Sequence, residues 1–230
     1  MEEKDSLPDM SFFLASSVHD MKNSLSLLSN RMEHFLGELT PDSFPGYEDL
    51  SQMLYETKRV NHNLIQLLAL YKVGNHLYPF DPQPFLLNDF VHEMEAQCRP
   101  LLASRLIELE TSCPDDLIWY FDEELVNGVI GQAINNASQY TRDRIRLSAA
   151  QVGDMLEIRV EDNGAGYPAS MLQAIESEQR GISFGSGSTG LGLYFGRTVA
   201  AMHRNKGLHG RLRLENGGCY GGGCCILQLP

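Results

Sequence analysis

The chain has little of what marks membrane, secreted or nucleic-acid-binding proteins. None of its apolar runs approaches the roughly 20 residues that a membrane-spanning helix needs, and its acidic start, MEEKDS, does not resemble a signal peptide. Basic residues are also few, since 18 Lys and Arg stand against 30 Asp and Glu, a net charge of −12. Such a charge repels nucleic acids and anionic lipids. We therefore expect a cytoplasmic protein with no membrane span and no nucleic-acid partner.

Cysteine is also scarce, and its spacing excludes the usual structural uses. The five cysteines are odd in number and contain no C-x-x-C pair, which argues against both a zinc site and a disulfide framework. We expect reduced thiols that act as small core residues. They are Cys98, Cys113, Cys219, Cys224 and Cys225.

Two segments carry the alternating three and four spacing of apolar residues that is typical of paired amphipathic helices. The first runs from Leu14 to Leu39, and the second runs from Leu50 to Tyr71. The turn sequence TPDSFPG interrupts the pattern between them, which predicts an antiparallel helical hairpin. Because two helices cannot enclose a core alone, we expect two copies to form a four-helix bundle, which makes the chain a homodimer.

A proline-rich stretch, GNHLYPFDPQPF, follows the hairpin. Its three prolines exclude a continuous helix and favour extended chain. We therefore place a linker at residues 77–84, between a hairpin domain at residues 1–76 and a second domain at residues 85–230.

The second domain mixes helical and strand periodicities, so the expected fold class of the whole chain is α+β. Within this domain we expect an α/β sandwich, with the helices on one face of a sheet. The periodicity predicts helices over 88–103, 122–139 and 189–204, and strands over 105–111, 117–121, 143–151, 155–162, 208–215 and 222–229.

His19, Asp20 and Asn23 form the first group of candidate functional residues. If Val18 and Met21 lie in the buried seam, His19 falls one position outside it, and Asn23 follows one turn later on the same face. An exposed imidazole beside a carboxylate is a potential nucleophile, because Asp20 can accept one ring proton and leave the other nitrogen free. Taken alone, the same pattern also describes an ordinary solvated helix face.

Asn136 and the segment DNGAGYP form the second group. Asn136 lies at the polar edge of the predicted 122–139 helix, where its amide oxygen is a suitable ligand for Mg²⁺. Asp162 ends a predicted strand and can accept a hydrogen bond from an adenine amino group, while Gly164 and Gly166 permit close backbone approach. Each feature by itself is common, at helix edges and in turns respectively.

The stretch GSGSTGLGLYF forms the third group, because its glycines lead directly into an apolar helical pattern. A glycine-rich loop before a helix N-terminus presents free backbone N–H groups and the helix dipole to an anion, which predicts phosphate binding. It is not a P-loop, since no G-K-[ST] sequence occurs, and no strand immediately precedes it as in a Rossmann turn.

Taken in order, these segments resemble the histidine kinase family. HDMKNSL is similar to its phosphoacceptor box, GQAINNASQYT to its Asn box, DNGAGYP and GSTGLGL to its two glycine boxes, and GGGCCILQLP to its closing strand. The resemblance covers nearly the whole chain. It implies a dimeric hairpin followed by an ATP-binding domain of the GHKL type, the fold shared by histidine kinases and Hsp90.

The resemblance also implies roles for individual residues. His19 would be the phosphoacceptor, Asp20 its acid/base partner, and Asn23 a residue that supports dephosphorylation of a response regulator. Asn136 would bind Mg²⁺ and Asp162 would recognise adenine. The implied nucleotide pocket comprises Asn136, Asp162, Gly164, Gly166, Gly190, Leu191 and Gly192.

Some positions depart from the family pattern. Gln132 and Gln139 stand where Asn and a basic residue are usual, and no proline follows the phosphoacceptor box. The lid between Tyr167 and Ser188 is short, with Phe184 as its only aromatic candidate. No sensor or receiver segment is recognisable, so we expect a separate sensor or input protein.

The implied activity is autophosphorylation of His19 from Mg-ATP, followed by transfer of the phosphoryl group to an Asp of a response regulator receiver domain. Three alternatives remain open. The chain could be a histidine phosphotransferase or phosphatase with a degenerate ATP domain, a GHKL ATPase or serine kinase whose hairpin only dimerises, or a coiled-coil adaptor. The adaptor leaves the glycine loops unexplained.

Overall fold

The computed structural model describes residues 10–39, 44–176 and 190–230; the side chains of residues 10–15 and 174–176 lie outside the description. The chain divides into two compact units, Met1–Pro79 and Phe80–Pro230. In the described ranges, no helix has both the length and the apolar character needed to cross a membrane.

The first unit is a hairpin of two long helices, α1 (Met10–Gly37) and α2 (Tyr47–Gly74). The amide of Asn61 on α2 donates to the Ser26 hydroxyl on α1 at 3.2 Å, and Lys58 pairs with Glu33. Later residues of α1 thus meet earlier residues of α2, which confirms the antiparallel hairpin that the apolar spacing predicts.

The predicted apolar seam is only half covered within one copy of the hairpin. Val18 is buried, whereas six seam residues at intervals of seven along each helix are between 43 and 56% exposed. We call these six residues the apolar ridge: Met21, Leu28 and Phe35 on α1, with Met53, Val60 and Leu67 on α2.

The second unit combines four helices with nine strands within its described residues. The elements are β1 (Gln83–Leu86), α3 (Leu87–Ser104), β2 (Glu108–Ser112), β3 (Ile118–Phe121), α4 (Glu123–Tyr140), β4 (Arg144–Val152), β5 (Met155–Asp162), α5 (Ala169–Glu176), α6 (Leu191–Met202), β6 (Arg204–Asn205), β7 (Leu208–His209), β8 (Arg211–Asn216) and β9 (Gly223–Leu229).

Five of these strands form the main sheet, in the order β2-β4-β5-β9-β8. The β2–β4 pair is parallel, and the other three pairs are antiparallel. Every second residue of β5, including Leu156, Ile158 and Val160, is buried on the face that meets α4. The sheet therefore packs its apolar face against the helices, as the alternating pattern predicts.

The opposite face of the sheet carries ion pairs, although Ile226 on the same face is buried. Arg159 Nη2 lies 2.6 Å from Glu157 Oε2, and Arg146 Nε lies 3.4 Å from Glu110 Oε1. The arrangement is therefore a sandwich of one sheet and one helical layer.

The core of the second unit also depends on a helix cap. Asp122 immediately precedes α4, and its Oδ1 accepts a hydrogen bond from the Leu125 backbone N–H at 3.1 Å, which satisfies one of the free donors at the helix start. The helix then buries Val126, Val129 and Ile130, three of the apolar positions that its sequence period indicates.

All five cysteines are free, as expected, but only two have the expected core role. Cys224 and Cys225 are buried, and burial raises the pKa of each thiol to about 12. Cys98 and Cys113 are half-buried, whereas Cys219 is exposed.

Several elements differ from the sequence expectation. Strand β1 begins at Gln83, inside the expected linker 77–84; Pro84 is tolerated there because β1 pairs with β3 alone, as one strand of a two-stranded sheet. The α5 helix and the β6–β7 pair were not predicted. The expected strand 208–215 is interrupted at Gly210, where a Cβ atom would lie 2.3 Å from the Ala200 carbonyl oxygen.

Candidate functional site

His19 lies on the exposed surface of α1, directly after the buried Val18. Its side chain is 57% exposed, and its Nδ1 atom lies 3.7 Å from Asp20 Oδ1. The Asn23 amide nitrogen is 3.3 Å from the same ring nitrogen, since residues four apart share a helix face. Both contacts are thus made by Nδ1, while Nε2 makes neither.

The helix is continuous through this group of residues. Ser24 occupies a position where a proline is common in the resembled family, and its hydroxyl donates to the Asp20 carbonyl oxygen at 3.0 Å. The α1 helix runs from Met10 to Gly37 without a break.

Asp162 is held by backbone N–H groups at the end of β5. The residue is buried, at 5% exposure, and its Oδ1 accepts hydrogen bonds from Gly164 N at 2.7 Å and from Gly223 N at 3.2 Å. These two bonds fix the orientation of the carboxylate. Both described hydrogen bonds are made by Oδ1. They fix the whole carboxylate, so Oδ2 also has a fixed orientation although it makes no described hydrogen bond.

The glycines around Asp162 are required by close backbone contacts. A Cβ atom at Gly164 would lie 2.1 Å from the Tyr140 carbonyl oxygen, at the end of α4. At Gly222, a Cβ atom would lie 2.3 Å from the Asp162 carbonyl oxygen. The backbone therefore approaches the carboxylate closely on two sides. A residue with a Cβ atom at either glycine position would prevent this approach.

Tyr167 closes the same corner with its side chain. A Cβ atom at Gly223 would lie 3.0 Å from Tyr167 Cε2, so the ring packs directly on β9. Burial, with smaller effects from Cys225 and Asp162, raises the pKa of the Tyr167 phenol well above its ordinary value. The phenol is therefore neutral throughout the physiological range.

Asn136 and the start of α6 meet through Gln132. Gln132 Nε2 donates to Asn136 Oδ1 at 3.2 Å, and a Cβ atom at Gly192 would lie 2.9 Å from the same Gln132 nitrogen. Gly190, directly before α6, has a φ of 63°, a left-handed conformation that glycine adopts without strain. Leu191 is the first residue of this helix.

Residues 121–230 match the family described as histidine kinase-, DNA gyrase B- and HSP90-like ATPases. The second unit contains a domain of this ATPase family. The matched residues include Asn136, Asp162 and the two glycine-rich sequences DNGAGYP and GSTGLGL. The sequence resemblance to histidine kinases is thereby confirmed for this part of the chain.

A curated relative extends the likeness towards the hairpin. Sensor protein SrrB of Staphylococcus aureus (strain N315) is 21% identical to this chain over 197 residues, which cover 83% of this chain and 34% of that protein. The same protein from strain NCTC 8325 matches with the same identity and coverage. The chain therefore spans about a third of the length of the curated relatives that it matches.

Solved histidine kinases share the fold. Acinetobacter baumannii histidine kinase AdeS matches with a TM-score of 0.59 at 20% identity, over 92% of this chain and 96% of that chain. The catalytic domain of histidine kinase ThkA matches with a TM-score of 0.54 at 20% identity, over 65% of this chain and 95% of that domain. The GHKL-type fold that the sequence resemblance implies is thus confirmed.

The ATPase domain offers one amide, rather than a cluster of ligands, for the implied Mg²⁺. Among the described residues, no group of three or more His, Cys, Asp and Glu side chains is placed to hold a metal ion. An oxygen ligand such as Asn136 Oδ1 fits an ion that keeps several waters and is held mainly by nucleotide phosphates.

Two side chains that stabilise the pocket loops escaped the sequence analysis. Asn163 Oδ1 accepts a hydrogen bond from the Thr141 hydroxyl at 2.7 Å, and its amide nitrogen donates to Asp143 Oδ1 at 2.7 Å. Asn216 binds the backbone of Tyr167. The sequence could have indicated Asn163, because this residue lies inside the turn sequence DNGAGYP and Asn is common in turns. No sequence pattern indicates Asn216.

Part of the predicted phosphate loop lies outside the described residues. Gly185 and Gly187 belong to the undescribed range 177–189, as do Phe184 and most of the expected lid. His19 belongs to the first unit, and the residues of the predicted nucleotide pocket belong to the second.

Proposed function

We propose that this protein autophosphorylates His19 from Mg-ATP and passes the phosphoryl group to an aspartate of a response regulator receiver domain. The observation that carries the proposal is the exposed His19, held through Nδ1, in a chain whose second unit is a histidine kinase-like ATPase domain. If the protein were an ATPase of this family that phosphorylates no histidine, the exposed and oriented His19 would have no function.

The nucleotide-pocket residues have separate roles in this proposal. Asp162 Oδ2 accepts a hydrogen bond from the adenine amino group, since Oδ1 is bound to two backbone N–H groups. Asn136 binds Mg²⁺, which when bound neutralises the phosphates of ATP. Gly190, Leu191 and Gly192 present the start of α6 to the phosphates.

The chemistry at His19 is a transfer to its Nε2 atom. With Nδ1 carrying the proton, the Nε2 lone pair attacks the γ-phosphorus, the bond from that phosphorus to the bridging oxygen breaks, and ADP leaves. Asp20 stabilises the protonated Nδ1 side of the ring, and the Asn23 amide can turn its oxygen towards the same proton. His19 is then the donor to the regulator aspartate.

The proposal includes a homodimer, and it assigns a separate function to each segment of the chain. Residues 1–76 dimerise and carry the phosphoacceptor, the part of the expected linker that precedes β1 is the hinge, and the chain from Gln83 onwards binds ATP. The exposed apolar ridge supports dimerisation, because a second copy would cover it in a four-helix bundle. A separate sensor or input protein would control the kinase.

A second candidate activity is net dephosphorylation of the regulator. Gln132 binds the Asn136 oxygen that Mg²⁺ needs, and Gln139 stands where the family has a basic residue, so the kinase reaction would be slow. Asn23, beside His19, is placed to orient a water against a regulator's acyl phosphate. An Asn23→Ala variant that still dephosphorylates the regulator at the native rate would exclude this role of Asn23.

The proposal is tested by incubating the purified full chain with γ-labelled ATP and Mg²⁺. The comparison uses His19→Ala and a matched control, His34→Ala. His34 is also exposed on α1 and also faces a carboxylate, with Nε2 at 3.6 Å from Glu38 Oε1. We expect base-stable, acid-labile label on the native chain and on His34→Ala, and none on His19→Ala.

The other outcomes separate the alternatives. Label that survives acid would contradict the proposal and favour a serine kinase. Acid-labile label on His19→Ala would contradict His19 as the acceptor. ATP binding without any label favours the phosphatase, and a chain that binds no ATP favours a histidine phosphotransferase.

A further inference from the structure

The loop after Asp162 is tied to a distant part of the chain by one side chain. Asn216 Oδ1 accepts a hydrogen bond from the Tyr167 backbone N–H at 2.6 Å, and Asn216 Nδ2 donates to the Tyr167 carbonyl oxygen at 2.9 Å. The amide thus satisfies both backbone groups of one loop residue, as a neighbouring strand would. We call these two bonds the Asn216 clamp.

The backbone of the loop is shaped to admit the Asn216 clamp. Gly166 has a φ of 80°, and a Cβ atom there would lie 2.6 Å from Asn216 Oδ1. A side chain at position 166 would therefore strain the backbone and displace the amide. The second glycine of DNGAGYP is thus required by Asn216 even without a nucleotide.

Asn216 itself stands on an anchored turn. It is the last residue of β8, and residues 217–222 connect it to β9. The turn is bonded to β5 at two points: Cys219 N donates to Glu161 Oε1 at 3.0 Å, and Gly222 N donates to the Asp162 carbonyl oxygen at 3.1 Å. The clamp therefore connects the loop to the rigid sheet.

The clamped loop and the Asp162 carboxylate form one continuous unit. Gly164, at the start of the loop, donates to Asp162 Oδ1, and Gly223, at the start of β9, donates to the same atom. The Tyr167 ring packs against Gly223. A loop that moved at Tyr167 would therefore disturb the bond that Gly164 makes to the carboxylate.

We infer that Asn216 is a positioning residue of the nucleotide pocket, which acts through the Gly166–Tyr167 backbone rather than by touching the nucleotide. This inference rests on the proposed ATP binding. It gives the end of β8 a role in adenine recognition by Asp162. None of the sequence motifs includes this part of the chain. Loss of the clamp should weaken ATP binding and leave the maximal rate of phosphorylation unchanged.

The test compares three variants of the full chain. Asn216→Ala removes both bonds, Asn216→Asp keeps the acceptor for Tyr167 N–H but loses the donor, and Asn205→Ala is a matched control on the exposed β6 strand. We expect the Kd for ATP, measured by calorimetry, to rise about tenfold in Asn216→Ala and less in Asn216→Asp. The kcat at saturating ATP should stay within about twofold, and Asn205→Ala should match the native chain.

Hydrogen exchange provides a second readout that does not depend on ATP. The Tyr167 amide should exchange at least about tenfold faster in Asn216→Ala than in the native chain, and Asn216→Asp should retain protection because its acceptor remains. The Arg142 amide, which donates to Asn163 at 3.1 Å, is the internal reference.

Native affinity for ATP in Asn216→Ala, or a fall in kcat with KM unchanged, would overturn the inference while leaving the proposed function intact. A native chain that binds no ATP would overturn both, and the exchange of the Tyr167 amide would still show whether the clamp exists. Should Asn216→Ala fail to fold, an unchanged ATP affinity in Asn216→Asp would overturn the inference.

Discussion

At the scale of single residues, the pocket is built by close backbone approaches rather than by charged side chains. Asp162 is the one carboxylate of the predicted site in this unit, and it is oriented by glycine N–H groups from one loop and from the start of β9. Glycine at these positions leaves room for carbonyl oxygens and amides that would otherwise collide with a Cβ atom. Substitution of these glycines should therefore affect both stability and nucleotide binding.

The Gly164→Ala variant should lose about 1–3 kcal/mol of unfolding free energy. Its Cβ would lie 2.1 Å from the Tyr140 carbonyl oxygen, so the end of α4 or the loop must shift. Gly131→Ala is the matched control within the same unit. Its Cβ meets only the flexible end of Met94, at 3.8 Å, and the gain in helix propensity should stabilise the unit by about 0.5–1 kcal/mol.

Urea unfolding of the two variants measures this difference. Equal stability of Gly164→Ala and the native chain would mean that the close approach to Tyr140 is not maintained in solution.

His203 should make the second unit sensitive to mild acid. It is buried, its Nε2 accepts from the Asp122 backbone N–H at 3.1 Å, and its ring N–H at Nδ1 donates to Val199 O at 2.8 Å. Burial lowers the pKa of His203 from its ordinary 6.5, against smaller raising effects of Val199 and Asp122. The unfolded chain therefore takes up the proton first, so stability is full above about pH 6.5 and falls as the pH drops through the folded-state pKa.

The pH dependence is measured by urea unfolding between about pH 7.5 and pH 5, with a slope from this group of at most about 1.4 kcal/mol per pH unit. A His203→Gln variant keeps an acceptor for Asp122 N–H but cannot gain a proton, so its stability should fall less steeply. Parallel profiles for the two proteins would show that His203 does not titrate on unfolding.

At the scale of elements, α1 and α2 each divide their apolar residues between two neighbours. Alternate seam positions such as Val18 are covered by the other helix of the hairpin, whereas the apolar ridge is left exposed. Six large apolar side chains at intervals of seven on adjacent helices form the stripe that a four-helix bundle buries. The hairpin is therefore expected to be stable only as a dimer.

The Leu28→Asp variant should dissociate the dimer, because the aspartate would be buried unpaired at the centre of the bundle. Leu27→Asp is the matched control: Leu27 is also exposed, at 56%, but lies about 100° around the helix from Leu28. Sedimentation equilibrium should give a monomer for Leu28→Asp and a dimer for Leu27→Asp. Dimers of both variants would contradict the ridge as the interface.

At the scale of the whole molecule, two units of different construction share one strongly acidic chain. The first unit is a helical hairpin and the second is a sheet covered by helices on one face. A ligand of the second unit should stabilise that unit specifically, because it binds the folded state alone. Nucleotide-linked unfolding therefore tests the assignment of the pocket on the intact chain.

Mg-ATP at about a hundred times its Kd should raise the unfolding free energy of the second unit by about 2.7 kcal/mol. GTP should raise it far less, because its carbonyl oxygen would face the Asp162 carboxylate where adenine has an amino group. In Asp162→Asn the preference for ATP should disappear, since an amide nitrogen would replace Oδ2. Equal stabilisation of the native chain by ATP and GTP, followed calorimetrically, would exclude adenine recognition by Asp162.

Most elements of the second unit could be predicted from the sequence, and most errors have physical reasons. Helices α3 and α4 begin and end within one residue of their predicted limits, because their apolar period is regular and Asp122 marks the start of α4. Strand β2 begins three residues late, because α3 is closed by Arg105 and by Leu106, whose φ is 55°. Strand β1 was not predicted, because Pro84 lies in a proline-rich stretch that is typical of a linker.

The sequence by itself determined the hairpin, the α+β class, the exposure of His19 and the position of Asp162 at a strand end. Each of these follows from local spacing, since the helical period of 3.6 and the strand period of 2 fix which residues share a face. Only the tertiary structure decided which backbone groups hold Asp162 and that Asn216 binds Tyr167, 49 residues away. Such contacts depend on which strand ends meet when the sheet closes, and no local pattern encodes that.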